Sequence, residues 1–387
     1  MIIKGGEVFG SDGRFHRRDV AISDGFFSDD EKACSDDRDI YDASGDYVLP
    51  GLIDIHFHGA MGYDVCDKEM DGFEAIAGYE LVNGVTAICP ATLTLPITDL
   101  KEVLRIGKEF SDKDHKLCAE LIGFNMEGPF ISRARKGAQN EKYILGCDGE
   151  IVREFLDASG GLLKIIGLAP ECNPHFEDYI RDVRDMVKVS LAHTDADFDI
   201  CKRAFDAGAS HVVHLYNAMR GLSHRDPGLV GAAAESKNIT CEIICDGVHI
   251  HPAAVRAAFT LMGSERMILI SDSLRCTGMP DGSYDLGGQD VCKKGNLCTL
   301  ASEGNIAGSV SNLFDCLKTA VLDMNIPIEE AVAAATINPA RCIGEDRLYG
   351  SIESGKKGDI IIVDRKDFSL RAVIKNGKLV KKAEVKS

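Results

Sequence analysis

Eight short apolar runs rich in β-branched residues recur through the middle of the sequence. They fall at 51–57 (GLIDIHF), 85–89 (VTAIC), 120–126 (ELIGFNM), 163–168 (LKIIGL), 187–192 (VKVSLA), 211–215 (HVVHL), 240–245 (TCEIIC) and 267–271 (MILIS). Each has the length and composition of a strand buried on both faces. Helix-like stretches separate them, for example 200–208 and 253–262. Eight strands alternating with helices are what a closed (β/α)8 barrel, the TIM-barrel architecture, requires. A doubly wound open sheet is the alternative, but it would not bring the first and last strands side by side.

The two ends have a different texture. Residues 1–50 alternate β-rich runs with the turn dipeptides Asp12-Gly13 and Asp24-Gly25, and the pattern returns after Gly355 in GDIIIVD and in AVIKNGKLV with its Asn376-Gly377 hairpin signal. The expectation is an α/β chain: a barrel at 51–345 carrying one small β-sandwich domain built from 1–50 and 346–387.

A second regularity points to chemistry. Polar residues collect where the apolar runs end: His56 and His58 on the first, Glu127 after the third, His193 after the fifth, His214 and Asn217 on the sixth, Asp246 and His249 after the seventh, and Asp272 after the eighth. The C-terminal rim of a barrel is where active sites are built, so separate runs converge on one mouth.

His56 and His58 stand at i, i+2 in PGLIDIHFHG. Side chains two apart on a strand share a face, and a point shared by two neutral imidazoles is a natural place for a metal ion. Glu127 lies in NMEGPF, where Gly128 and Pro129 are expected to turn the chain sharply after the third strand. Together with His193 and His214 these residues offer four imidazoles and one carboxylate, a set suited to zinc, iron or another borderline divalent cation. Asp272 would close the ring from the eighth strand. A carboxylate beside a metal-activated water can take its proton and later deliver it to a leaving group.

Composition bounds the partners. A chain of 387 residues with 45% hydrophobic residues can bury a large core, and a net charge of -17 argues against nucleic acid or an anionic membrane as partner. A small anionic substrate stays possible, because a few local donors outweigh a distant, screened surface charge. No apolar stretch is long enough to span a bilayer and MIIKGGEVFG lacks a signal-peptide pattern, so the expected location is the cytoplasm. The 14 cysteines are scattered without a Cys-x-x-Cys pair, and Cys89, Cys241 and Cys245 lie inside apolar runs. They are expected to be reduced core residues.

The longer motifs add a resemblance that covers essentially the whole chain: PGLIDIHFHG, NMEGPFIS, LAHTDA, HLYNAMRGLSHRDPGLVG, CDGVHIHP, ISDSL, NIAGS, ATINPAR and GSIESGKKGDIIIVD. The sequence resembles the amidohydrolase superfamily, and within it the branch that removes acetate from N-acetyl-D-glucosamine 6-phosphate. HLYNAM followed by Arg-x-Pro-Gly-Leu is specific to that branch.

The resemblance implies Glu127, His193 and His214 as metal ligands, with His56 and His58 forming a second metal position alongside Asp272 in those members that keep them. One or two divalent cations per subunit follow. It implies Asp272 as general base and acid, and His249, in preference to His251, as the group polarising the acetyl carbonyl. For substrate binding it implies Arg225 as a planar fork for the phosphate, backbone N–H groups at Asn217 and Ala218, the pair Ala138 and Gln139, Asp246 with His249, and the lining loop Ile306, Ala307 and Gly308. A homodimer is also implied.

One departure stands out. Where the family commonly reads Lys-Gly-Ala-His, this chain has Lys136-Gly137-Ala138-Gln139, which makes the galactosamine epimer a second candidate substrate. His16, His115, His175, His211 and His224 receive no function. Two rivals remain. A cyclic-amide hydrolase commonly bridges two metals with a modified Lys on the fourth strand, but Lys164 starts that run, and Glu127 can serve instead. A non-catalytic metal-binding sugar-phosphate sensor would have lost Asp272 or the ligand set, and both are intact.

Overall fold

The computed structural model describes residues 1–29, 39–113 and 115–382. Cys34 and the parts of the expected small domain at 30–38 and 383–387 lie outside the described residues.

All eight apolar runs contain strands: Leu52–Asp54, Val85–Ile88, Phe124–Phe130, Leu163–Leu168, Lys188–Leu191, His211–Val212, Thr240–Ile244 and Met267–Ile270. Short pieces at Ala91–Thr92 and Glu120–Leu121 carry the second strand onward and lead into the third. Neighbouring strands pair in parallel throughout. The ring closes beyond the ends of the first and eighth strands, where Asp272 N donates to His56 O at 2.9 Å and His58 N to Ser273 O at 2.8 Å. That closure excludes the open sheet.

Alternation along each strand sorts the side chains. Ile53, Ile165, Ile244, Ile268 and Ile270 point into the barrel, where Ala340, Cys342, Ile343 and Tyr349 plug its floor. Leu52, Ile166, Ile243 and Leu269 point outward under the surrounding helices. Each such side chain contributes about 1.5–3 kcal/mol on burial. The outer helices are stopped and started by local chemistry. Asp197 accepts from Ile200 N at the start of Phe198–Ala207, Gly208 with φ 125° ends it, and Asn312 caps Leu313–Leu322. The expected helices at 200–208 and 253–262 are Phe198–Ala207 and Pro252–Met262.

One expectation fails here. Gly128 and Pro129 do not end the third strand, which runs on to Phe130 through a break in register after Met126. Glu127 therefore projects from within a strand.

The terminal segments share one sheet, in which Asp46–Pro50 pairs with both Ile2–Phe9 and Ile360–Asp364. The Asp12-Gly13, Asp24-Gly25 and Asn376-Gly377 dipeptides each join antiparallel neighbours. One face of this sheet, with Leu49, Ile361, Val363 and Val373, joins the barrel core; the other, with Val8, Ile22, Val48, Ile360, Ile362 and Ile374, packs against itself.

A third, smaller sheet was not foreseen. Strands Gly282–Leu286, Gln289–Lys294 and Leu297–Leu300 form a meander after the eighth barrel strand, and its Leu286, Val291 and Leu300 pack with Leu93, Leu274 and Ala307. Among the described residues the cysteines are unpaired, and Cys89, Cys241 and Cys245 are core residues as expected, but Cys172 and Cys292 are exposed. Among the described residues no helix is long and apolar enough to cross a membrane.

Candidate active site

His56 lies just past the end of the first strand, at a bend. Ile53 and Ile55 face the barrel interior; after the bend Phe57 joins the outer core, His58 lines the mouth and His56 stays buried beneath it. The strand itself ends at Asp54, so His56 and His58 converge from the segment beyond it and not from one strand face. His193, His214 and Asp272 leave their strands with φ of 44°, 25° and 51°. Left-handed backbone at a non-glycine residue costs of order 1–3 kcal/mol and concentrates where function over-determines the geometry.

These residues meet. His193 Nε2 and His214 Nε2 lie 2.7 and 2.8 Å from Glu127 Oε1. On the other side His56 Nε2 is 3.5 Å from Glu127 Oε1 and 3.8 Å from Asp272 Oδ1. His58 Nε2 is 3.5 Å from Glu127 Oε2 and 3.4 Å from Asp272 Oδ1. Two groups able to hold a cation result, His56–His58–Glu127 and Glu127–His193–His214, with Glu127 shared. The donor set fits a borderline divalent ion, and His56 Nε2, though fully buried, has no hydrogen-bond partner.

The surroundings orient the imidazoles. His58 Nδ1 lies 3.1 Å from Ala91 O and His193 Nδ1 2.8 Å from Arg135 O, leaving each Nε2 to face the centre. Gly137, at φ 55°, lets that loop cross His193 closely, since a Cβ there would sit 3.2 Å from the ring. Electrostatics follow from burial and from this crowding. Burial alone would lower the pKa of His56, but Glu242, Glu127 and Asp272 together push it up to about 10. Burial would raise the Glu127 carboxyl, but His193, His214 and His56 hold it well below the usual range. Asp272 is likewise held low, against burial, by His58 and His56.

The mouth is a cavity of about 430 Å³. Of the anticipated residues, His58, Glu127, Ala138, Gln139, His193, His214, Asn217, Ala218, His249, Asp272, Ile306, Ala307 and Gly308 line it. Gly308 is needed where it stands: a Cβ would lie 2.9 Å from Asp272 O. His56 sits beneath the cavity floor. His251 instead caps Pro252–Met262, its Nδ1 accepting from Ala253 N.

Three anticipated substrate contacts are placed differently. Asp246 does not line the cavity: its Oδ2 is 2.7 Å from His249 Nδ1, and its Oδ1 accepts from Val248 N and His249 N. A carboxylate so fully engaged orients His249. Gln139 donates to Glu127 Oε2, so its amide supports a ligand. Arg225 is exposed and outside the cavity lining, seven residues beyond Ala218; Asp226 pairs with Arg220 instead.

Two residues escaped the sequence reading. Glu242 Oε2 lies 2.8 Å from His56 Nδ1 and Oε1 2.9 Å from His211 Nε2, all three fully buried. His211 is thus part of the polar layer beneath the site, not a packing residue. The available signal was one charged residue inside an apolar strand, TCEIIC, at an inward-facing position.

A closed barrel whose strand ends bring four imidazoles and two carboxylates to one cavity has the layout of the metal-dependent amide hydrolases. The amidohydrolase family model matches residues 47–380. The N-acetylglucosamine-6-phosphate deacetylase of Bacillus subtilis (strain 168) is 36% identical over 329 residues, 84% of this chain and 83% of that one. The N-acetylgalactosamine-6-phosphate deacetylase of Escherichia coli O157:H7 is 32% identical over 325 residues, 84% and 85% of the two chains. Among solved structures, a mutant N-acetyl-D-glucosamine-6-phosphate deacetylase from Mycobacterium smegmatis, in complex with N-acetyl-D-glucosamine 6-phosphate, superposes with a TM-score of 0.90 at 28% identity, covering 98% of this chain and 99% of that one. The chain belongs to the amidohydrolase family.

Proposed function

We propose that the chain hydrolyses the acetamido bond of N-acetyl-D-glucosamine 6-phosphate, giving acetate and D-glucosamine 6-phosphate. The observation that carries this reading is that Asp272 and His249 face the same cavity as His58, Glu127, His193 and His214. Zinc or iron, one or two ions per subunit, would be held by Glu127, His193 and His214 and by His56 and His58. A bound cation supplies Lewis acidity to the attacking water and to the acetyl carbonyl.

The chain's own groups account for the proton traffic. Asp272, held low and therefore ionised near neutrality, accepts the water proton and passes it to the amine nitrogen as the C–N bond breaks. Burial would lower the pKa of His249, but the Asp246 carboxylate raises it. The imidazole then keeps Nδ1–H on Asp246 and Nε2–H for the oxygen on which charge builds, where a preplaced donor gives the largest gain. Asn217 and Ala218, with Ile306 to Gly308, would hold the sugar, and Arg225 the phosphate.

The glucosamine epimer is preferred because both the Bacillus relative and the liganded Mycobacterium structure carry that name. The Escherichia relative keeps the galactosamine epimer as the second reading. A cytoplasmic homodimer, with a small domain of 1–50 and 346–387 on a barrel of 51–345, completes the proposal.

The test is acetate release from N-acetylglucosamine 6-phosphate, its galactosamine epimer and unphosphorylated N-acetylglucosamine, with metal content measured on the same sample. Release from the first should be fastest. A metal-replete protein that deacetylates neither phosphorylated sugar would end this reading.

A further inference from the structure

The two candidate cation groups share Glu127, but a second carboxylate also touches both. Glu242, from inside the seventh strand, is fully buried and has no role in the proposed chemistry. Its Oε2 lies 2.8 Å from His56 Nδ1 and accepts from the backbone N of His214 at 3.1 Å; its Oε1 lies 2.9 Å from His211 Nε2 and accepts from Asn125 Nδ2 at 3.4 Å. His56 belongs to one cation group and His214 to the other.

A carboxylate only accepts, so the proton on His56 must sit on Nδ1 when His56 is neutral. The hydrogen bond at one ring nitrogen decides what the other can do. Nε2, without a partner and facing Glu127 and Asp272, is left with its lone pair free for a cation. The same oxygen braces the backbone of His214, which stands at φ 25°. His211, anchored by Thr240 Oγ1 2.7 Å from its Nδ1, fixes the far oxygen of Glu242 so that it cannot rotate away.

We infer that Glu242 is the positioning residue that makes the His56–His58–Glu127 position fillable, by fixing the tautomer of His56, while the Glu127–His193–His214 position, whose ring nitrogens it does not touch, fills with or without it. This rests on the reading of the site as a metal centre. Glu242→Gln keeps the shape but offers one acceptor oxygen for two ring donors. Whichever way the amide turns, the full charge that holds the His56 proton on Nδ1 is gone, so that proton can move to Nε2 and close it to a cation.

The experiment titrates metal-stripped full-length protein with Zn²⁺ and counts bound equivalents. Wild type should take two, and Glu242→Gln one at wild-type affinity, with the second weakened about 10–100-fold or lost. Two equivalents at unchanged affinity in both proteins, or only one in wild type, would overturn the inference; none in wild type would instead overturn the metal-centre reading. Should Glu242→Gln fail to fold, ¹⁵N spectra of zinc-loaded wild type decide the matter, with the His56 signals assigned by their loss in His56→Gln. Protonated Nδ1 with zinc-shifted Nε2 is expected. A His56 carrying its proton on Nε2 would refute the inference.

Discussion

Gln139 gives an amide hydrogen to Glu127 Oε2 while its own Oε1 accepts from Thr94 N at 2.7 Å. The Thr94 bond fixes which end of the amide faces the carboxylate, so Glu127 keeps one oxygen for His193 and His214 and has the other held in place. Gln139→Ala is therefore expected to weaken metal retention by about 10–100-fold in a chelator competition, with KM for the sugar changed less than about twofold once metal is restored. A larger effect on KM than on metal retention would return Gln139 to the sugar.

Asp272 stands 3.4 Å from His58 Nε2 and lines the cavity, yet its backbone is fixed by the barrel closure rather than by any ligand. Asp272→Asn keeps size and hydrogen bonding but cannot accept a proton. Turnover should fall by about 10²–10⁴-fold, the range for a lost general base, with metal content and substrate affinity retained. Equilibrium binding of N-acetylglucosamine 6-phosphate beside initial rates checks this; near-normal rates would remove Asp272 from the chemistry.

The barrel was legible because its inward and outward faces are both apolar, and the resulting runs stand out from the helices between them. The rim was legible for the same reason: Glu127, His193, His214 and Asp272 are the charged or titratable residues nearest the ends of those runs. Three things were not. The bend at His56 follows from a first strand that stops at Asp54, three residues short of the end of its apolar run, which no propensity marks. The meander at 282–300 falls outside the barrel's strand–helix rhythm, and what holds it is packing on Leu93 and Leu274. Glu242 is the one charged residue of its apolar run and His211 one of two histidines in its own, and only the closure of the barrel brings them to His56.

His249 and Asp246 form a pair whose stability contribution has a defined pH window. Burial opposes both shifts, but their hydrogen bond raises the His249 pKa above its ordinary 6.5 and lowers that of Asp246 below 3.8. A raised histidine stabilises fully below about 6.5 and loses its contribution as pH rises through the folded value. A lowered carboxylate stabilises above about 4 and loses it as pH falls. Asp246→Asn should thus lower Tm most between about pH 4 and 6.5 and progressively less above that. It should also shift the alkaline limb of kcat toward neutrality, since His249 would lose Nε2–H earlier. Thermal melts and rates across pH 4–9 provide the check.

Arg225 is exposed and without an ion-pair partner among the described residues, while its neighbour Asp226 is held by Arg220. A free guanidinium so close in sequence to the cavity-lining Asn217 and Ala218 suits a phosphate that arrives with the substrate. Arg225→Ala should raise KM for N-acetylglucosamine 6-phosphate by about 10–100-fold, as for a lost charge-assisted pair worth about 1.5–3 kcal/mol. KM for the unphosphorylated sugar should stay unchanged. Equal effects on both sugars would take Arg225 out of phosphate recognition.

Glu80 lies on the first outer helix, Met70–Val82, fully buried near Asp54 with neither carboxylate oxygen hydrogen-bonded. Burial first, and then the nearby Asp54, push its pKa well above 4.5. Folded protein therefore keeps Glu80 protonated at pH values where the unfolded chain has already released the proton. The sign follows: stability contributed by this group is unaffected below about pH 4 and falls as pH rises, by up to about 1.4 kcal/mol per unit until Glu80 itself ionises. Asp54, pushed up to about 7 by burial, adds a similar slope of its own. Glu80→Gln is nearly isosteric and cannot ionise, so it should raise Tm at pH 7–8 and make the fall of stability with pH shallower by about one proton. Denaturant unfolding of both proteins at several pH values measures that difference directly. A variant less stable than wild type at pH 8 would mean that Glu80 is charged and paired in the native protein.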